Sequence, residues 1–230
     1  MQESRKYGIV IILTCKLCRI IFIHHQSGGF HSMFRVANYN LDSTNIYMIS
    51  SSFEDAQADM RSAYLWGAPG VSVSGAVWVI SALFASFVSF KAGVWSLLLG
   101  GTVIFPLSLV VCRALGAKAK HSADNPLGKL ALEGTFWLLA GIAVAFGIQV
   151  LRPEWFYPSM LLMIGGRYFT FQTLYGLRAF WWAGGTLCSL GIALALASAA
   201  PALAAAVGGG TEVVLSVLLF SMARGKKDAV

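Results

Sequence analysis

The chain has 230 residues, 57% of them hydrophobic and 12% charged, with a mean hydropathy of +0.70. A soluble domain is usually under half apolar and about a quarter charged, so the composition excludes an ordinary soluble domain. The net charge of +7 does not mark a nucleic-acid binder, because the basic residues form no continuous face and sit at the ends of apolar runs, where charges set membrane orientation.

Residues 1–50 differ in texture from the rest. They hold three of the four histidines (His24, His25 and His31) and two cysteines, Cys15 and Cys18. The apolar run Tyr7–Ile23 is broken by Lys16 and Arg19. A charge near a helix centre costs about 2.5–3.5 kcal/mol on insertion scales, which argues against a membrane span. The same charges, and the lack of a small-residue cleavage site, argue against a signal peptide. Cys15-x-x-Cys18 followed by His24-His25 has the ligand count of a zinc site. Its setting is apolar and no folded module surrounds it, so no metal is expected. Residues 1–50 therefore read as an N-terminal extension, disordered or interfacial, or as an upstream stretch ahead of a start at Met48. Farther along, Cys112 and Cys188 read as inert packing residues.

Residues 51–67 read as a short helix before the first span. Ser51 stands three residues before Glu54, and Ser52 three before Asp55, a helix-start pattern. Phe53, Met60 and Tyr64 recur at helical spacing, with Glu54, Asp55, Asp59 and Arg61 on other faces. Two readings fit: an amphipathic helix at the cytoplasmic membrane surface, or a solvated lead-in.

Residues 68–223 carry six apolar stretches, at about 69–90, 94–112, 130–151, 157–177, 180–199 and 203–222. A bilayer core needs about 20 apolar helical residues, and backbone in lipid must satisfy its own hydrogen bonds. The fold class expected is an all-α membrane protein with six transmembrane helices. Lys and Arg fix the orientation. With alternating spans, Arg61, Arg113, Lys118, Lys120, Lys129, Arg178, Arg224, Lys226 and Lys227 share one side, against Lys91 and Arg152 on the other. That places both termini in the cytoplasm, with residues 224–230 as a basic tail. Asn125 and Pro126 read as the cap and first residue of the third span.

The spans also suggest a repeat. Leu97-Leu98-Leu99-Gly100-Gly101-Thr102 parallels Leu162-Met163-Ile164-Gly165-Gly166-Arg167, and the sixth span has Gly209-Gly210-Thr211. The preceding spans match through Gly75-Ala76-Val77-Trp78, Gly134-Thr135-Phe136-Trp137 and Trp181-Trp182. Three helical hairpins are expected, with the Gly pairs 100–101, 165–166 and 209–210 as close-packing points between helices.

The residues that cost most are the charges inside spans. Arg167 and Glu212 fall at similar depth in the fourth and sixth spans, so an ion pair or a shared hydrogen-bond network between them is expected. Tyr168, Gln172 and Tyr175 extend the polar stretch of the fourth span, and Glu133 is expected near Gln172 or Arg178. These six residues, Arg167, Glu212, Gln172, Glu133, Tyr168 and Tyr175, form the candidate buried polar site, either a substrate or proton path or a structural lock. No catalytic or phosphate-binding motif is present, so an enzyme, a metal and a cofactor are not expected. The partners expected are the lipid bilayer and a second copy or another membrane protein.

The stretches Asp59-Met60-Arg61-Ser62-Ala63-Tyr64, Asn125-Pro126-Leu127-Gly128-Lys129-Leu130-Ala131-Leu132-Glu133 and Ile164-Gly165-Gly166-Arg167-Tyr168-Phe169 resemble a family of small bacterial multi-pass membrane proteins of unknown function, over residues 54–222. The resemblance implies a bacterial cytoplasmic membrane location and supplies no activity. A small transporter or permease-like protein is the first functional expectation; a non-transporting scaffold or regulatory subunit is the alternative.

Overall fold

The computed structural model describes residues 8–15, 18–25 and 43–227, with side chains over 52–225. It divides into two units, residues 1–42 and 43–230. In the first, β1 (Gly8–Cys15) and β2 (Cys18–His25) form an antiparallel pair in which Gly8 faces His25 and Cys15 faces Cys18. The runs are rich in Val and Ile, which favour extended backbone. The all-α expectation rests on the unit that follows.

The second unit is helical. It contains α1 (Ser43–Tyr64), α2 (Ala68–Phe87), α3 (Phe90–Ala114), α4 (Leu127–Leu151), α5 (Phe156–Tyr175), α6 (Arg178–Leu196) and α7 (Pro201–Lys227). The six apolar stretches become α2 to α7 with ends shifted by a few residues. Four helices and the continuous stretch Ser52–Phe87 are long and apolar enough to cross a membrane, five candidates in all; α5 is not among them. Arg167, Gln172 and its hydroxyl-bearing residues lower its hydropathy. Neighbours on several sides compensate, since α5 packs against α4, α6, α7 and α1.

Local chemistry explains the ends. Pro69 sits in the first turn of α2, where its missing N–H costs nothing. Ser89 caps α3, its Oγ accepting from the Ala92 N–H at 3.1 Å. Asn125 Oδ1 accepts from the Leu127 N–H at 3.0 Å at the head of α4, so the cap read from Asn125-Pro126 is present. Gly176 ends α5 in the left-handed region at φ +68°, where only glycine fits without strain.

Two expectations change. The helix before the first span starts at Ser43, so Ser51 and Ser52 lie inside it rather than at its start. No Gly or Pro occurs between 43 and 51 to stop it. The pairing of helices also differs from three self-contained hairpins. The most extensive packing is α2 with α7, followed by α2 with α3 and α5 with α6, whereas α6 and α7 touch more lightly. The first apolar helix thus closes against the last.

The core lies among α2, α5, α6 and α7. Trp78, Phe156, Tyr157, Leu161, Phe180, Leu187 and Leu219 are fully buried there. α3 and α4 add Val94, Leu97, Leu127 and Ala145 to it and otherwise expose Phe105, Phe136, Trp137 and Leu151 among other apolar side chains. Apolar surface of this extent suits lipid rather than water.

Candidate functional site

Glu212 lies on α7 and is 1% exposed. It is buried because α7 approaches α2 closely: a Cβ added at Gly75 would lie 3.3 Å from the Glu212 Cβ and 3.2 Å from the Val213 backbone nitrogen. The Tyr168 hydroxyl on α5 donates to Glu212 Oε1 at 2.7 Å. Ser74 of α2 lies beside the carboxyl group, yet Oε2 has no hydrogen-bond partner among the described residues. One turn along α7, Ser216 Oγ pairs with Ser72 Oγ of α2 at 2.5 Å.

Arg167 is not the partner of Glu212. Its Nη2 donates to Thr135 Oγ1 of α4 at 3.3 Å, and its guanidinium lies 5.2 Å from the Phe171 ring centre. Positions 167 and 168 are about 100° apart around a helix, so Tyr168 faces α7 while Arg167 faces α4. Among the described residues the ion pair is Arg152–Glu154, at 3.3 Å between α4 and α5. Tyr168, the next residue, is the one that reaches Glu212.

The other candidates separate. Gln172 is half-buried and gives its carbonyl to the Gly176 N–H at 2.7 Å. Tyr175 is buried, stacks on Phe180 with ring centres 5.5 Å apart and offers its carbonyl to Arg61. Glu133 is exposed on α4, not gathered with Gln172 or Arg178, because the outer face of α4 has no protein cover. Of the six candidates, then, the structure joins Tyr168 to Glu212 and leaves four elsewhere.

The glycine pairs divide in the same way each time. A Cβ at Gly100 would meet Val77 Cγ1 at 2.5 Å, one at Gly165 would meet the Gly184 carbonyl at 2.8 Å, and one at Gly209 would meet the Val79 backbone nitrogen at 3.0 Å. Gly101, Gly166 and Gly210 face open space.

A second polar cluster joins α1 to the bundle end. Asp59 Oδ2 accepts from Asn125 Nδ2 and from the Ser122 N–H, both at 2.8 Å, and Asn125 also donates to the Ala56 carbonyl. Tyr64 pairs with His121 Nδ1 at 2.8 Å. Gln57 and Arg61 donate to the Thr173 and Tyr175 carbonyls, each at 2.7 Å. α1 clamps the α3–α4 connection and the end of α5. The Asn125 amide is the main group holding the Asp59 carboxyl below its ordinary value, against some burial and with help from the Ser122 N–H. Burial pushes the Tyr64 phenol up, partly offset by His121. Sequence reasoning placed Asn125 as a cap and missed its bond to Asp59, which bridges 66 positions and leaves no trace in local spacing. It also missed Ser72, Ser74 and Ser216, which in an apolar span look like ordinary small packing residues.

Long apolar helices around a carboxyl group sealed from solvent point to a helical membrane protein. The chain belongs to DUF7010, a family of unknown function whose match covers residues 53–222. No curated protein and no solved structure matches it.

Proposed function

We propose that this is a six-span protein of the bacterial cytoplasmic membrane, with its basic ends cytoplasmic, acting as a small permease-like transporter in which Glu212 takes up and releases a proton. The observation that carries the reading is the buried Glu212 carboxyl, bonded by one tyrosine and left with an oxygen that has no hydrogen-bond partner among the described residues. Ionisable groups at membrane depth are costly and usually serve a path for ions or protons. An ionised carboxylate with a free oxygen in an apolar core is more costly still, and a proton relieves that cost. In this reading Tyr168 positions the carboxyl, no cofactor is used and no bond of a substrate is broken. α5 counts as the sixth span, its polarity covered by its neighbours.

Purified protein in proteoliposomes tests this. An imposed potassium-diffusion potential is expected to drive proton entry, read with an internal pH dye, and Glu212→Gln is expected to abolish it. The close glycine contacts favour a second reading, a non-transporting scaffold in which Tyr168–Glu212 fixes helix register. Wild-type vesicles as proton-tight as protein-free ones would establish that second reading instead.

A further inference from the structure

We infer that Glu212 exchanges its proton with one side of the protein only, the end where α1 docks, and that the hydroxyls of Ser74, Ser72 and Ser216 form the route. The inference rests on Glu212 as the proton-binding group and adds the direction and the residues of access. Two turns of α7 flank Glu212, and they differ. Toward the α1 end, Ser216 lies one turn away, bonded to Ser72 at 2.5 Å. Ser72 is half-buried and only four residues, about 6 Å of helix, from the start of α2. Ser74, also half-buried, lies next to the carboxyl group.

Toward the opposite end, Gly208 lies one turn away. A Cβ there would meet Trp78 at 2.7 Å and Leu161 at 2.8 Å. Trp78, Leu161 and Phe156 are all at most 1% exposed and form an apolar plug on that side of the carboxyl. The next polar group on that side, Ser81, is turned away: it donates to the Gly93 carbonyl and pairs with the Tyr157 hydroxyl. Hydroxyls can pass a proton because each both donates and accepts; an aromatic and aliphatic plug cannot.

The titratable surroundings are sparse. α2 has no ionisable side chain. On α5, Tyr168 contacts Glu212, while Arg167 is held by Thr135 and Phe171. α6 carries Arg178 and Cys188, and α3 carries Lys91, Cys112 and Arg113, none of them hydrogen-bonded to Glu212. Toward the α1 end Glu212 thus has half-buried hydroxyls within a turn, whereas toward the other end the buried Trp78 and Leu161, packed at Gly208, stand between it and the bonded Ser81–Tyr157 pair.

Hydrogen–deuterium exchange of the carboxyl infrared band, on full-length protein in membranes, tests the route. Glu212→Gln identifies the band by removing it. Ser72→Ala with Ser216→Ala takes out both partners of one bond, a change the fold tolerates well, and is expected to slow exchange of the band at least 10-fold. Ser74→Ala is expected to slow it as well. Ser81→Ala, beyond the plug, is expected to leave the rate unchanged. Exchange as fast in the double variant as in wild type, or equal slowing by Ser81→Ala, overturns the route. Absence of a band that depends on Glu212 overturns proton binding itself. A Ser-dependent exchange in protein that carries no proton flux would keep this inference and discard the transporter reading.

Discussion

The polar groups at the α1 junction and those around Glu212 solve the same problem in opposite ways. At the junction, Asp59, Asn125, Gln57, Arg61, Tyr64 and His121 bond one another or backbone carbonyls, and partly exposed groups there can exchange a lost partner for water. Around Glu212, among the described residues, there is one tyrosine bond, one oxygen without a hydrogen-bond partner and close backbone contacts at glycine. A lost bond there has no solvent to replace it, so its cost is the full desolvation penalty. The contrast teaches that damage should scale with distance from water rather than with the number of bonds a residue makes.

The largest effect expected is steric. Gly165→Leu drives a side chain into the Gly184 carbonyl and Cys188, whereas Gly166→Leu points into open space. Overpacking costs roughly 1–3 kcal/mol when side chains can yield and more against backbone. Gly165→Leu should fail to accumulate or should unfold well below wild type in detergent, with Gly166→Leu close to wild type, as read by the thermal midpoint. Equal behaviour of the two would mean that α5 and α6 are not packed at these glycines.

Next is Tyr168→Phe. It removes the hydroxyl that donates to Glu212 Oε1, a loss of about 1–3 kcal/mol. Adding Glu212→Gln to Tyr168→Phe should recover part of that loss, because the charge no longer needs a donor. Thermal midpoints of the single and double variants form the cycle that measures the coupling, and a strictly additive result would remove Tyr168 as the positioning residue.

These two regions also differ in how far the sequence discloses them. Helix number and position follow from runs of apolar residues, a local property, and the ends agree within a few residues. Counting from helix ends brought the Arg167–Tyr168 stretch of α5 to the level of Glu212, and Tyr168 does reach it. Which of two adjacent residues faces α7 was not legible, because α5 is surrounded on several sides and its apolar pattern has no single preferred face. The partner of Asp59 was hidden for a related reason: Asn125 already had a sufficient local role as a cap. The glycine pairs announced close packing, but not that α7 would press on α2 rather than on α6.

At the junction a smaller effect is expected. Asp59→Ala deprives the Ser122 N–H and the Asn125 amide of their acceptor, at about 1 kcal/mol because water reaches the site. The pH dependence has a defined sign. The folded carboxyl titrates below its ordinary value, so its contribution is complete above the unfolded value and fades as pH falls through the folded one. Wild type should therefore lose stability on acidification more steeply than Asp59→Ala. Parallel acid limbs for the two proteins in thermal unfolding would show that the Asp59 contacts do not stabilise the fold.

The smallest change is expected at Arg167, although it is a charge in the middle of a helix. Its bonds are a 3.3 Å contact to Thr135 and the face of Phe171, and such cation–π contacts are worth about 0.5–2 kcal/mol. A leucine there gives up these contacts but also removes a charge that is costly to bury. The two terms oppose, so Arg167→Leu should shift the thermal midpoint little. It should leave Glu212 bonded to Tyr168. If Arg167→Leu instead proved as damaging as Tyr168→Phe, the guanidinium would have to act on Glu212 at a distance, and the separation of the two charges onto different faces of α5 would lose its meaning.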